Sequence, residues 1–466
     1  MSKSLFFCAI GGSGMMPLAL MMKARGYDVS GSDRAYDQRQ STERFEFLKE
    51  QGIRLFPQDG SGITDDVDAV IVSSAVESTV PDYKAAVEQG IEVRPRAALL
   101  ASLVNEAGTG VAIAGTSGKS TTTAMIGWIL AAAGYDPSVV NGAVMKNFVS
   151  ASQPFASVRV GSDRYVVAEA DESDGSIELY RPHIAVLNNI GEDHKTLAEL
   201  DSLFSAFLTR AEQAVVNLDD EKVASFSHPH RLTYSLNNGA ADFFASDIEL
   251  FPARVRFTVH YGARVAEVNL ACPGKHNIAN ALAAVAAAVA MKIPFRKAVK
   301  ALCSFQGIAR RFDVLGQVRG IEIIDDFAHN PDKIGALLQH LRQFSGRLLI
   351  LFQPHGYGPL RQMHEGLVAS FAAYLQPEDH LYVTDPVYFG GTVDRSVGSE
   401  TLTKALCGRG VRAHYVLTRD DAAKDIISQA TEGDRVIVMG ARDDSLSAFA
   451  RSILTSLKES AAKTIL

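Results

Sequence analysis

Short apolar runs alternate with helix-like segments along most of the chain. Leu5 to Ile10 reads as a strand, Gly11-Gly12-Ser13-Gly14 as a turn, and the following residues to about Arg25 as a helix ended by Gly26-Tyr27. Asp28 to Asp33 is the next strand and its tip, so the chain opens as a βαβ unit. Val67 to Ser74 and Ile91 to Val93 are further strands, and Ala97 to Val104 a helix. The small-residue break Asn105 to Gly110 precedes Val111-Ala112-Ile113-Ala114, an apolar strand, then a glycine turn and a helix through Thr122 to Leu130. Arg164 to Glu169, Ile184 to Ile190 and Ala214 to Leu218 repeat the form of a strand delivering polar residues at its end. Phe243 to Leu270 alternates apolar and polar positions, which predicts an antiparallel addition. An alanine-rich helix follows Pro273-Gly274. Beyond Gly307, strands at Ile321 to Asp325, Leu348 to Phe352, His380 to Thr384 and Arg435 to Met439, with helices between, predict a third parallel sheet.

The whole therefore reads as an α/β protein of three domains, with boundaries expected at 1–107, 108–306 and 307–466. The length of 466 residues suits several cores rather than one. Hydrophobic residues at 47% and charged residues at 21% are an ordinary soluble balance. A net charge of −7 argues against a general nucleic-acid binder, and no apolar run is long enough to cross a bilayer. The first strand resembles a secretory leader until Gly11-Gly12-Ser13-Gly14 breaks it, and no small-residue cleavage site follows. Cys8, Cys272, Cys303 and Cys407 have no metal-like spacing and suit a reducing cytoplasm.

The chemistry concentrates at Gly115-Thr116-Ser117-Gly118-Lys119-Ser120. A strand, a glycine turn and a helix start aim backbone N–H groups at one point, which suits phosphate oxygens. Lys119 is placed to reach the β- and γ-phosphates of a nucleotide, and the Ser120 hydroxyl to ligate Mg²⁺. Ile113 stands where the general motif has its first glycine. The acids Glu169, Asp171, Glu172 and Asp174 follow a strand, and such a cluster calls for a compensating cation. His194 follows another strand end and is a candidate site residue. The turn at Gly11 to Gly14 invites a dinucleotide reading, but Pro17 replaces the third glycine of that frame; a nucleotide diphosphate still fits a helix N-terminus. Ser73 and Ser74 lie at a strand's carboxyl end, where open α/β sheets bind ligands.

In order along the chain, the two glycine turns, Ser73-Ser74-Ala75, Glu169-Ala170-Asp171-Glu172-Ser173-Asp174-Gly175, His276-Asn277-Ile278-Ala279-Asn280, Arg310-Arg311-Phe312, Asp325-Asp326-Phe327-Ala328-His329 and Phe352-Gln353-Pro354-His355 together resemble the Mur ligase family, ATP-dependent amide-forming enzymes of peptidoglycan assembly. The resemblance implies a Rossmann-like first domain, a central P-loop ATPase-like domain and a Rossmann-like third domain. It implies that ATP is held by Gly115, Thr116, Ser117, Gly118, Lys119, Ser120, Thr121, Asn277, Asn280, Arg311 and Asp326, with the two asparagines at the adenine and Arg311 at the γ-phosphate. Mg²⁺ would be held by Ser120, Glu169 and His194. Gly11, Gly12, Ser13, Gly14, Ser32, Asp33, Ser73 and Ser74 would take a UDP-sugar. His329, His355 and Arg361 would face the amine acceptor, and Lys119, Arg311 and His329 carry catalysis.

The implied reaction joins L-alanine to UDP-N-acetylmuramate through an acyl phosphate, in a cytoplasmic monomer or homodimer. The alternatives are a recycling ligase that adds a preformed peptide to the same donor, and a nucleotide-binding regulator without turnover. The chain departs from the family pattern in places. Ser117 replaces a loop histidine, and Phe327-Ala328-His329-Asn330 replaces Tyr-Gly-His-His. Gly356 and Pro359 replace the arginines after the Gln-Pro-His motif, leaving Arg361 as the nearest cation, with Arg442 a second candidate for a displaced carboxylate clamp.

Overall fold

A computed structural model of the chain describes residues 3–73, 76–191, 196–387, 394–441, 443 and 445–464, with side chains to 460. Ser74, His194 and Arg442 lie outside the described residues. The chain falls into two compact units, Met1–Leu250 with Arg254–Ile308, and Phe251–Ala253 with Ala309–Leu466.

The first unit holds two sheets. The N-terminal sheet consists of β1 (Ser4–Cys8), β2 (Asp28–Ser32), β3 (Arg54–Phe56), β4 (Ala69–Val72) and β5 (Glu92–Pro95), in the order β3-β2-β1-β4-β5. All its pairs are parallel, and the apolar β1 is buried along its length, as a central parallel strand must be. The four expected strands are present: β1, β2 and β4 are a residue or more shorter than their runs, β5 is shifted to Glu92–Pro95, and β3 is an additional short strand.

The central sheet begins with β6 (Thr109–Ala114), β7 (Pro137–Val140), β8 (Val158–Arg159), β9 (Ser162–Glu169) and β10 (Ile184–Leu187). It continues through β11 (Gln213–Asn217), β12 (Arg231–Ser235), β13 (Phe243–Phe251), β14 (Arg254–Tyr261) and β15 (Arg264–Leu270). Its order is β15-β14-β13-β12-β11-β10-β6-β9-β7-β8. The expected antiparallel addition is the β14–β15 ladder, where Val255 pairs with Leu270 and Tyr261 with Arg264. The decisive feature is the placing of β6. Its parallel neighbours are β9 and β10, so the carboxyl ends of three strands deliver Gly115, Glu169 and Asn188 to one edge. The helix Lys119–Ala132 packs on the alanine-rich helix Lys275–Ala290, whose small buried side chains permit a close approach.

The second unit holds β16 (Asp313–Val318), β17 (Ile321–Asp326), β18 (Leu348–Gln353), β19 (His380–Val383), β20 (Ala413–Tyr415) and β21 (Arg435–Gly440), ordered β16-β17-β21-β18-β19-β20. The third sheet is not wholly parallel: β16 pairs antiparallel with β17 across a bulge between Val314 and Gly316. The glycine and the bulge break the alternation that marks a strand in sequence. The α/β class with three sheet-centred parts is as expected.

Candidate active site

The phosphate loop connects β6 to the helix Lys119–Ala132. Gly115 has φ +127° and Gly118 φ +85°. A Cβ on Gly118 would lie 2.4 Å from Asn280 Oδ1, so both the backbone angle and the space exclude a side chain there. The loop is clamped from the β10 side. Ser117 N–H donates to Asn189 Oδ1 at 2.8 Å, Asn189 Nδ2 donates to the Ser117 carbonyl at 3.1 Å, and Thr116 N–H donates to the Asn189 carbonyl at 3.1 Å. The Thr116 hydroxyl accepts from Gly191 N–H at 2.9 Å. The Asn188-Asn189 pair was not singled out in the sequence; two adjacent amides at a strand end beside a phosphate loop are the signal that marks it.

Lys119 and Ser120 each meet a carboxylate from the β9 side. The Ser120 hydroxyl donates to Glu169 Oε2 at 2.9 Å, and Gly142 N–H donates to Glu169 Oε1 at 2.5 Å. Lys119 Nζ donates to the Gly115 carbonyl at 2.7 Å and pairs with Glu172 Oε2 at 2.8 Å. The sequence marks Glu172 as a member of the acidic cluster and of the Glu169 to Gly175 motif, without a role of its own. Asp171 is held below the usual carboxylate range: burial opposes this, and Ser173 N–H, Lys119 and Arg96 outweigh it. A hydroxyl and a carboxylate in contact, beside a phosphate loop, are a hard oxygen donor set. That set fits Mg²⁺, which takes few protein oxygens and completes its shell with phosphates and water. Among the described residues no group of three His, Cys, Asp or Glu side chains gathers around a point.

Asn277 and Asn280, expected at the adenine, lie behind the loop. They are 8% and 6% exposed, and their amides form a chain. Asn277 Nδ2 donates to the Pro273 carbonyl at 2.7 Å, Asn280 Nδ2 to Asn277 Oδ1 at 3.1 Å, and the Thr122 hydroxyl to Asn280 Oδ1 at 3.2 Å. Asn188 Nδ2 donates to Thr122 Oγ1 at 3.1 Å, and the Tyr234 hydroxyl to Asn188 Oδ1 at 3.2 Å. In this arrangement the two asparagines brace the loop from within rather than facing solvent.

In the N-terminal sheet, Asp33 accepts from Gly11 N–H at 2.9 Å and from Ala35 N–H at 2.8 Å, capping the short helix Arg34–Asp37 and fixing the glycine turn. Arg44 Nη1 donates to the Gly11 carbonyl at 2.8 Å. Gly12 and Gly14 are partly exposed and Ser13 exposed at the start of the helix Met15–Ala24, and Ser73 is half-buried past β4. Ser32 departs from expectation: it is fully buried and its hydroxyl donates to Asp82 rather than facing an open site.

In the second unit, Arg310 has φ +60° and Phe312 φ +45°, so Arg311 sits between two strained residues. Phe312 N–H donates to Asp326 Oδ2 at 2.7 Å and Ala328 N–H to Asp326 Oδ1 at 2.7 Å, which commits both oxygens of Asp326 to the backbone. Burial pushes the Asp326 carboxyl up, against those N–H groups and Arg311. The guanidinium of Arg311 lies 4.6 Å from the Phe327 ring centre. Phe327, one of the departures from the family pattern, thus supports Arg311. Asp325 is 1% exposed and is bonded by the Ser447 hydroxyl; burial raises its pKa to about 6. His329 Nδ1 lies 2.7 Å from the Phe327 carbonyl, so Nδ1 carries the hydrogen and Nε2 keeps its lone pair. Burial lowers the His329 pKa to about 3, so the ring is neutral at ordinary pH. The His329 and His355 rings are 4.8 Å apart, brought together because β17 and β18 both flank β21. Arg361 lies early in the helix Tyr357–Tyr374 and pairs with Asp394.

Three family models match in sequence order: the Mur ligase family catalytic domain over residues 5–107, the Mur ligase middle domain over 113–288, and the Mur ligase glutamate ligase domain over 310–442. The chain is 35% identical over 452 residues to the UDP-N-acetylmuramate–L-alanine ligase of Geotalea uraniireducens, covering 94% of this chain and 95% of the relative. It is 34% identical over 456 residues to the enzyme of that name from Geobacter sulfurreducens, covering 94% and 95%. The solved UDP-N-acetylmuramate–alanine ligase of Thermotoga maritima superposes with a TM-score of 0.80 at 25% identity, covering 98% of this chain and 99% of that one. A murein peptide ligase from Psychrobacter arcticus shares the fold, with a TM-score of 0.69 at 24% identity over 98% and 99% of the two chains. This chain belongs to the Mur ligase family.

Proposed function

We propose that the protein is a cytoplasmic ligase that uses ATP to join L-alanine to UDP-N-acetylmuramate. The observation that carries this reading is the 35% identity, across 94% of the chain, to a relative bearing that activity in its name. The ordered constellation of Lys119, Ser120 and Glu169 supports turnover and speaks against a regulator that has lost it.

A carboxylate is a poor acyl donor because its oxygen is a poor leaving group. One oxygen of the muramate carboxylate attacks the γ-phosphorus, the bond to the β-bridging oxygen breaks, and ADP leaves. The alanine amine attacks the resulting acyl carbon, inorganic phosphate leaves, and the amine gives up its proton. Negative charge concentrates throughout, and within the first unit Lys119 and the loop N–H groups oppose it. Ser120 and Glu169 would hold Mg²⁺, which neutralises phosphate charge when bound. The Nε2 lone pair of His329 is suited to accept a hydrogen bond; as a neutral ring His329 supplies no charge to an acceptor carboxylate.

The test is an acceptor panel with UDP-N-acetylmuramate and ATP, read by product mass and ADP release. L-Alanine should give the amide, with ADP formed only when donor and amine are both present. A product from a preformed peptide but from no free amino acid would overturn the acceptor assignment in favour of the recycling reaction. ADP formed in neither case would remove the enzymatic reading.

A further inference from the structure

The phosphate-loop lysine is engaged by groups of the chain itself. Lys119 Nζ meets both oxygens of Glu172, at 2.8 and 3.1 Å, and the Gly115 carbonyl at 2.7 Å. An ammonium has three N–H bonds, and the two carboxylate oxygens and the carbonyl offer them three acceptors. The pair is sheltered, with side chains 16% and 9% exposed, and screening by solvent is correspondingly small. The carboxylate is also rigidly presented. Ser173 N–H donates to Asp171 Oδ1 at 3.0 Å, Ser176 N–H to Asp174 Oδ1 at 2.9 Å, and Gly175 N–H to the Glu172 carbonyl at 3.2 Å, which close the loop after β9 on itself.

We infer that Glu172 is a positioning residue for Lys119: it holds the lysine beside the phosphate loop and competes with nucleotide phosphate for it. The two anions address the same ammonium, so nucleotide binding proceeds against the Lys119–Glu172 contact. Nucleotide affinity is set by the difference between the two attractions, and release of ADP is assisted when Glu172 reclaims the lysine. This inference rests on the reading of the loop as the ATP site. Glu169 has a separate task, since its oxygens meet Ser120 and Gly142 rather than Lys119.

The experiment is a double-mutant cycle on ADP binding, measured by calorimetry without donor or acceptor. Glu172→Gln keeps the shape and removes the charge. It should bind ADP about tenfold more tightly than wild type, a coupling of ordinary size for a contacting charged pair. In a Lys119→Ala background the same change should have no effect, because the competitor then has nothing to hold. Glu172→Asp, one methylene shorter, should fall between wild type and Glu172→Gln. Melting temperatures identify any variant that has lost its fold, and the Asp variant then carries the test. Unchanged or weaker ADP binding in Glu172→Gln overturns the inference. An equal gain with and without Lys119 also overturns it, because Glu172 would then act as a simple repulsive charge on the phosphates. If wild type binds no ADP, the reading of the loop itself fails; if it binds ADP and only the cycle fails, the loop stands and Glu172 loses its role.

Discussion

His329 shows how one side chain's surroundings decide what it does. Burial holds its pKa near 3, and its Nδ1 hydrogen is committed to the Phe327 carbonyl. A group whose folded pKa lies below its unfolded value stabilises the fold fully above the unfolded value. That contribution is lost as pH falls, because the unfolded chain takes a proton the folded one refuses. For His329 the window runs from 6.5 down to about 3. His329→Gln keeps a hydrogen-bond donor and cannot titrate. The variant should therefore lose less melting temperature than wild type between about pH 7.5 and about pH 5, so the gap between them narrows in acid. Parallel curves, or a gap that widens, would show that the ring is protonated in the folded state.

At the scale of elements, the site is made by three parallel strand ends and one buried polar chain. The strand–turn–helix around Lys119 was legible because β6 ends in the apolar run Val111-Ala112-Ile113-Ala114 and the turn residues have one conformational use. The acids after β9 were legible as a cluster, yet which acid meets which partner was not: Glu169 and Glu172 are both glutamates, and only the neighbouring position of β9 and β6 separates their tasks. Asn277 and Asn280 were read from a resemblance as ligand contacts, and the fold gives them partners within the chain. Periodicity marks a helix face as buried but does not name what faces it. The strand β16 was invisible because a glycine and a bulge break its alternation.

The buried chain from Asn280 through Thr122 and Asn188 to Tyr234 predicts its own sensitivity. Asn188→Ala would leave the Tyr234 hydroxyl, in a residue 1% exposed, without an acceptor and remove the donor to Thr122. A loss of about 2–3 kcal/mol of stability is expected from two unsatisfied groups, read by denaturant unfolding. The loop should loosen with it, since Asn188 Nδ2 also approaches the Ser117 carbonyl at 3.4 Å. A loss below about 0.5 kcal/mol would mean that water replaces the amide and the chain is not a brace.

For the molecule as a whole, the open matter is which cation receives the carboxylate of the third substrate, because the chain carries a net charge of −7. Gly356 and Pro359 supply no charge. Arg419 and Arg361 are two of the arginines near the third sheet's carboxyl edge. Arg419 is bound at once by Asp443, Gln353 and Ser445, and Asp443 is held below its usual pKa by Ser445 and Arg419 against its burial. Releasing it would break several contacts in a sheltered place. Arg361 pairs only with Asp394 among the contacts resolved, and the two side chains are 49% and 57% exposed, so solvent screens the pair. Solvent screening leaves such a surface pair weak, whereas a hydrogen bond to a charged group contributes about 1.5–3 kcal/mol. The exchange from Asp394 to the acceptor carboxylate therefore runs downhill for Arg361. Arg361→Ala should raise the acceptor KM about tenfold or more, with the KM values for ATP and donor unchanged. Asp394→Asn should lower the acceptor KM slightly, since it frees the arginine. If Arg361→Ala leaves the acceptor KM where it was while free L-alanine still reacts, Arg361 is a surface residue with an incidental partner, and the carboxylate is held elsewhere.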